Sequence, residues 1–169
     1  NCSIDGCANA FGRDIKPPDA QGDFLQIKLF SQAERNFAWQ AQWRLFGQHV
    51  MYEEYPTEPA SCVLNGFMFC LIGLYDGHHA TGNDAFRDAF DDGVLTLEAL
   101  LPLYDLGRGS CYDLTHMTSR IEGPNQTRHS YHRLHIQLLS TLDALANGRF
   151  SRITTRWDAY LRGNELSTN

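Results

Sequence analysis

An all-α fold built from αα-hairpins is what this sequence predicts, and three observations carry that reading. Apolar residues recur at three- and four-residue steps over most of residues 84–161. A long apolar stretch, Val63–Tyr75, reads as a helix that is apolar nearly all round. Turn signals are confined to short joints at Gly77, Gly107–Gly109 and Asn147-Gly148. With 169 residues, 43% of them hydrophobic, the chain is long enough to enclose one core.

Residues 1–30 read as an irregular arm, because Pro17-Pro18 excludes a helix there, with a short strand near Phe24–Phe30. Residues 31–169 form the helical domain. Its first helix is expected over Ala33–Phe46, ending at Gly47. The apolar helix should start near Pro59, capped by Thr57, and end near Tyr75 before Gly77. Gly66 and Gly73 share a face on it and allow another backbone close. Asn83 or Asp84 opens the next helix, with Phe86, Phe90, Val94, Leu97 and Leu101 on one stripe, and Pro102 closes it. Leu103–His116 reads as a Gly-rich loop or small hairpin. A helix from Ser130 to Leu145 buries Leu134, Leu138, Leu139 and Leu142, and a last one spans Ser151–Leu161. Helices joined by short turns make a bundle or part of an α/α toroid.

The net charge of −6 argues against general nucleic-acid binding. The charge is uneven, however. Arg108 to Gly163 carries eight arginines against Asp113, Glu122, Asp143 and Asp158, and four histidines lie between His116 and His135. Solvated helix faces account for such a pattern; so does a local site for carboxylates or sulfates. No run is long and apolar enough to cross a bilayer. Because Asn1 is not an initiator Met, the chain reads as a piece of a longer one. Cys62 and Cys70 read as small core residues of the apolar helix, and Cys2–Cys7 is a candidate disulfide in an oxidising compartment.

Three groups combine a tyrosine with a charged or ionisable neighbour. They are Glu54 and Tyr55 before the apolar helix, Tyr112 to His116 in the Gly-rich loop, and Asn125 to His135 at a helix start. Singly, such a tyrosine is more often a core-edge residue. His129, His132 and His135 are spaced for metal, but nothing in the spacing fixes a further ligand, so no metal is assigned. Asn125-Gln126-Thr127 and Asn1-Cys2-Ser3 match the N-glycosylation pattern, and a glycan on Asn125 would obstruct the site residues around it.

On these groups the chain resembles the C-terminal part of heparosan (heparan sulfate) D-glucuronyl C5-epimerase. The matching segments are Tyr52–Pro59, Val63–Tyr75, Leu100–His116, Pro124–His135, Leu139–Asp143 and Arg156–Gly163, in order over roughly residues 50–163, while residues 1–48 match poorly. The resemblance implies an α/α-barrel-type domain that, in the full protein, follows a β-rich region and a single-pass type II membrane anchor, with the enzyme in the Golgi lumen. It implies an acidic heparosan-type polysaccharide as substrate, no cofactor, and allows a homodimer. Carried over by position, the catalytic and binding residues are Glu54, Tyr55, Asn65, Tyr112, Asn125, Arg128, Tyr131 and His132, with His116 beside them. Three departures stand out: Thr115 in place of an arginine, Phe69 in place of a tyrosine, and a stretch three residues shorter after His135. Three residues are about 300° of helix, so the downstream face turns by about 60°.

Inverting C5 of a uronate removes a proton α to a carboxylate and returns one to the opposite face, so two acid/base groups must flank the sugar. A phenol starts near pKa 10, and lowering it by about three units needs roughly 4 kcal/mol of phenolate stabilisation. Arg128, His132 and His116 are of the type that contributes. Tyr112 and Tyr131, with Glu54, are therefore expected to move protons, and Tyr55, Asn65, Asn125, Arg128 and His132 to hold the substrate. A binding module without turnover, a uronate lyase and a purely structural helical repeat are the competing readings.

Overall fold

In the computed structural model the described residues are 42–45 (as backbone), 49–53, 57–119 and 123–163. The expected arm, the Cys2–Cys7 pair, the Asn1 glycosylation pattern, Glu54 and Tyr55 lie outside them. Helix α1 spans Leu64–Thr81, five residues later at its start and six later at its end than the sequence suggests. The start is displaced because Glu53, only 2% exposed, accepts from Ser61 Oγ at 3.3 Å and from the Cys62 amide. Those bonds keep the chain in an irregular turn in which Cys62 takes a φ of +56°. Thr57 donates its hydroxyl to Pro59 O instead of capping the helix. Cys62 thus precedes α1, although it and Cys70 are fully buried as expected. At the far end the helix runs through the buried Gly77 and stops at Gly82, whose φ of +67° suits only glycine well.

Asn83 starts α2 (Asp84–Leu100) by accepting from the Ala85 amide at 3.1 Å. Phe86, Phe90, Val94 and Leu97 are buried on it. A 3₁₀ turn, Leu101–Tyr104, follows and contains Pro102. Where a helix was expected up to Phe46, Gln42–Leu45 forms strand β1, paired antiparallel with β2 (His49–Tyr52). Polar and apolar residues alternate in Gln42-Trp43-Arg44-Leu45, a period of two that the longer apolar pattern obscures. Strand β2 is seated on α2: the Val50 amide donates to Thr96 Oγ1 at 3.1 Å and the Tyr52 hydroxyl to Ala89 O at 2.9 Å.

Within Leu103–His116 a tight turn is closed by an Asp105–Ser110 bridge, and the stretch ends in the short helix α3 (Thr115–Thr118). Helix α4 (His129–Leu145) and helix α5 (Ser151–Leu161) agree with the sequence to within a residue. Asp143 secures their joint by accepting from the Phe150 amide and Ser151 Oγ, both at 2.6 Å. α1 packs against both α2 and α4, and α5 packs on α4, so two helix pairs lie side by side. Their shared core includes Phe67, Phe86, Tyr104, Phe150 and Trp157. The described residues are mostly helical. No helix among them is long and apolar enough to cross a membrane.

Candidate active site

Residues 110–114 thread between the start of α1 and the stretch leading into α4. The Leu64 amide donates to Tyr112 O at 3.0 Å, the Tyr112 amide to Asn125 O at 2.8 Å, and the Leu114 amide to Ser61 O at 3.0 Å. Three pieces of chain far apart in sequence thus meet at Tyr112. Asp113, 7% exposed, ties them further: Oδ2 accepts from Asn125 Nδ2 at 2.7 Å, and Oδ1 from the Thr115 amide at 2.9 Å. Thr115 Oγ1 also donates to Oδ1, so the residue at the expected arginine position serves its own loop. The Asn125 nitrogen that a glycan would need is held by Asp113.

Tyr112 and Tyr131 meet edge to face, with ring centroids 5.3 Å apart and planes at 86°. Tyr131 is 43% exposed on the first turn of α4, so the pair opens to solvent. Arg128, exposed and three residues before Tyr131, falls on the same side of that helix start. Asn65 sits in the first turn of α1, next to the residue that bonds Tyr112, and its Oδ1 is buried without a partner among the described residues. His116 Nδ1, on α3, is likewise buried and unpartnered. Each could accept from a ligand's hydroxyl, while His135 Nε2 and Trp157 Nε1, also without a partner among the described residues, lie in the core.

His132 lies inside, 5% exposed, with both ring nitrogens engaged by the protein. Its Nδ1 accepts from the Ser110 amide at 3.2 Å, and Nε2 is 3.1 Å from Trp157 O. That assignment fixes the neutral tautomer with the proton on Nε2. Ser110 Oγ is 2.9 Å from His132 Nδ1 and 2.8 Å from His135 Nδ1, while Thr127 Oγ1 donates to Ser110 O at 2.8 Å. Burial lowers the pKa of His132 and pushes that of His135 down to about 3. The two histidines converge on one serine, and they brace the segment that delivers Tyr112 from behind. Phe69, in place of a tyrosine, packs against the core.

Asp113, Ser110 and Glu53 were not given roles by sequence reasoning. For Asp113 a signal existed: Asp-x-Thr immediately before a helix is the pattern of a side chain bonding its own backbone two residues on. For Ser110 none did, because its partners lie 22 and 25 residues away. Cys62, beside Glu53, has its thiol pushed up to about 12 by burial and by that carboxylate, which leaves it chemically quiet.

Comparison with known proteins assigns this arrangement to a family. A sequence profile of the D-glucuronyl C5-epimerase C-terminus matches residues 36–159. The chain belongs to that family. The match starts at residue 36, so part of the stretch that resembles the family poorly to the eye is included. A D-glucuronyl C5-epimerase of Caenorhabditis elegans is 37% identical over 137 residues, covering 73% of this chain and 22% of that protein. An uncharacterised protein of Methanocaldococcus jannaschii is 24% identical over 150 residues, covering 89% of this chain and 42% of its own. The chain therefore spans less than half the length of either of these relatives. Tyr112, Asp113, Asn125 and Tyr131 all lie within the part that the epimerase family profile covers.

Proposed function

We infer that this chain supplies proton-transfer groups for C5-epimerisation of D-glucuronate to L-iduronate within a heparosan-type polysaccharide. The observation that carries the reading is the contact of Tyr112 with Tyr131, and Asn65 Oδ1 and His116 Nδ1, without a partner among the described residues, support it. Two rings touching edge to face leave no space for a sugar between them. The uronate would therefore meet the pair at its hydroxyl rim, not sandwiched by the ring faces. One tyrosine, as phenolate, takes the C5 proton; the electron pair delocalises into the carboxylate; a second acid returns a proton to the other face. Tyr112 and Tyr131 are the groups proposed to move protons, with Glu54 as a further candidate by family resemblance. Arg128 and Asn125, both exposed, would hold the substrate; Tyr55 is proposed to join them by family resemblance, and Asn65 and His116 would accept from its hydroxyls. His132 would act through Ser110, orienting the Tyr112 segment instead of touching the sugar.

The two side-by-side helix pairs support an α/α toroid as the wider architecture. A Golgi-lumenal parent protein with a β-rich region and a membrane anchor, and a homodimeric assembly, complete the reading by family resemblance. The experiment is solvent exchange: heparosan incubated in D2O with the protein, deuterium at C5 read by NMR. Incorporation is expected with the native chain and should fall at least 100-fold in Tyr131→Phe, the usual scale of a lost acid/base group. Undiminished exchange in that variant would remove Tyr131 from the mechanism.

A further inference from the structure

A second cleft lies on the other side of the α4 start. Its volume is about 190 Å3, and its walls include Arg108, Gln126, Thr127, His129 and Tyr160. That is below the roughly 300 Å3 at which pockets for drug-sized ligands begin, so it suits one charged group or one sugar ring. Among the described residues no carboxylate lines it. Arg108 is exposed and makes no ion pair among the described residues. Asp105, the acid closest to it in the turn, is already taken: Arg156 Nε approaches Oδ2 at 2.8 Å and the Tyr160 hydroxyl approaches Oδ1 at 3.1 Å. The walls are also rigid. Thr127 and His132 are both bonded to Ser110, and Tyr160 is held by Arg156.

Position relative to the tyrosines decides what would use such a cleft. Residues 129 and 131 are about 200° apart around a helix, so they face opposite sides of the α4 start. Asn125 bonds Asp113, beside Tyr112, while Gln126 lines the cleft. The two places thus lie on different sides of the α4 start.

We propose that the Arg108–His129 cleft binds a carboxylate or sulfate on a sugar of the same polysaccharide, next to the residue at Tyr112 and Tyr131. The proposal rests on the acidic-polymer reading above but not on its chemistry. Guanidinium and imidazole nitrogens would donate to the anion, with Gln126 and Thr127 supplying neutral bonds. The test measures binding of unsulfated and N-sulfated heparosan hexasaccharides to the full chain by calorimetry at low salt. The native chain is compared with Arg108→Ala/His129→Ala and with Arg108→Lys. Both altered side chains are exposed, so the thermal midpoint should be unmoved. The double variant is expected to bind roughly ten-fold more weakly, and Arg108→Lys to recover part of that loss because it keeps the charge and loses the fork. A loss with both hexasaccharides means that a carboxylate is held; a loss with the sulfated one alone means a sulfate. Unchanged affinity of the double variant, or no binding by the native chain, overturns the cleft. Weakened binding without any C5 exchange would instead keep the cleft and remove the epimerase reading.

Discussion

At Asp113 one carboxylate accepts from the Asn125 side chain at 2.7 Å and from the Thr115 amide at 2.9 Å, joining two loops on either side of Tyr112. All of these partners are donors, so the site needs an acceptor on both oxygens. Asp113→Asn puts an NH2 against the donor on one side, while its remaining oxygen can serve only the other. The expected cost is about 1–3 kcal/mol of stability, the range for a buried group left unsatisfied, readable as a lower denaturant midpoint. C5 exchange should fall through kcat, because the variant disturbs the segment that holds Tyr112 and not Arg128. A variant with native stability and native exchange would show that the Asn125 and Thr115 contacts carry no weight. The tyrosines themselves illustrate how much of a site is legible in sequence. Tyr112 and Tyr131 could be picked out because each stands beside ionisable groups, and they do touch. His132 could be picked out on the same ground, but the side of α4 on which it falls carries it inward.

Among the elements, the α1–α2 contact turns on Gly93. A Cβ at that position would collide with Leu71 and stand 3.1 Å from the Tyr52 ring. Alanine would add up to about 1 kcal/mol of helix propensity, while overpacking a fixed core costs about 1–3 kcal/mol. Leu71 is fully buried and Tyr52 is pinned by its bond to Ala89 O, so neither retreats easily. Gly93→Ala should therefore destabilise by about 1 kcal/mol in urea unfolding; a raised midpoint would mean that Leu71 can shift freely. The sequence signalled close approach at Gly66 and Gly73, and both are buried; yet Gly93 in a polar-looking stretch of α2 gave no such signal. Helices with a clear apolar stripe and a local stop, α2, α4 and α5, were legible almost to the residue. The start of α1 was not, because Glu53 competes for its backbone from nine residues away. Strand β1 was not, because four residues of alternation are outweighed by aromatic residues that also fit a helix.

For the molecule as a whole, two buried neutral histidines make stability depend on acidity. His132 and His135 sit in the shared core beside Trp157, with ring centroids 5.7 and 6.3 Å from the indole. Burial lowers both, and His135 titrates at about 3 against an ordinary value of 6.5. The folded chain therefore binds fewer protons than the unfolded chain between these limits. Stability is retained above pH 6.5 and declines as the pH falls toward 3. From His135 alone the loss between pH 7 and pH 5 is about 2 kcal/mol, since each unit below 6.5 is about 1.4 kcal/mol; His132 acts in the same direction. His135→Gln removes the titration while leaving a side chain that reaches Ser110. Its unfolding free energy should be lower at pH 7, where the native bond is lost, yet flatter with pH than that of the native chain. Urea titrations at pH 5, 6 and 7 on both proteins measure the difference in slope. Parallel slopes would mean that the imidazole of residue 135 already carries a proton inside the fold.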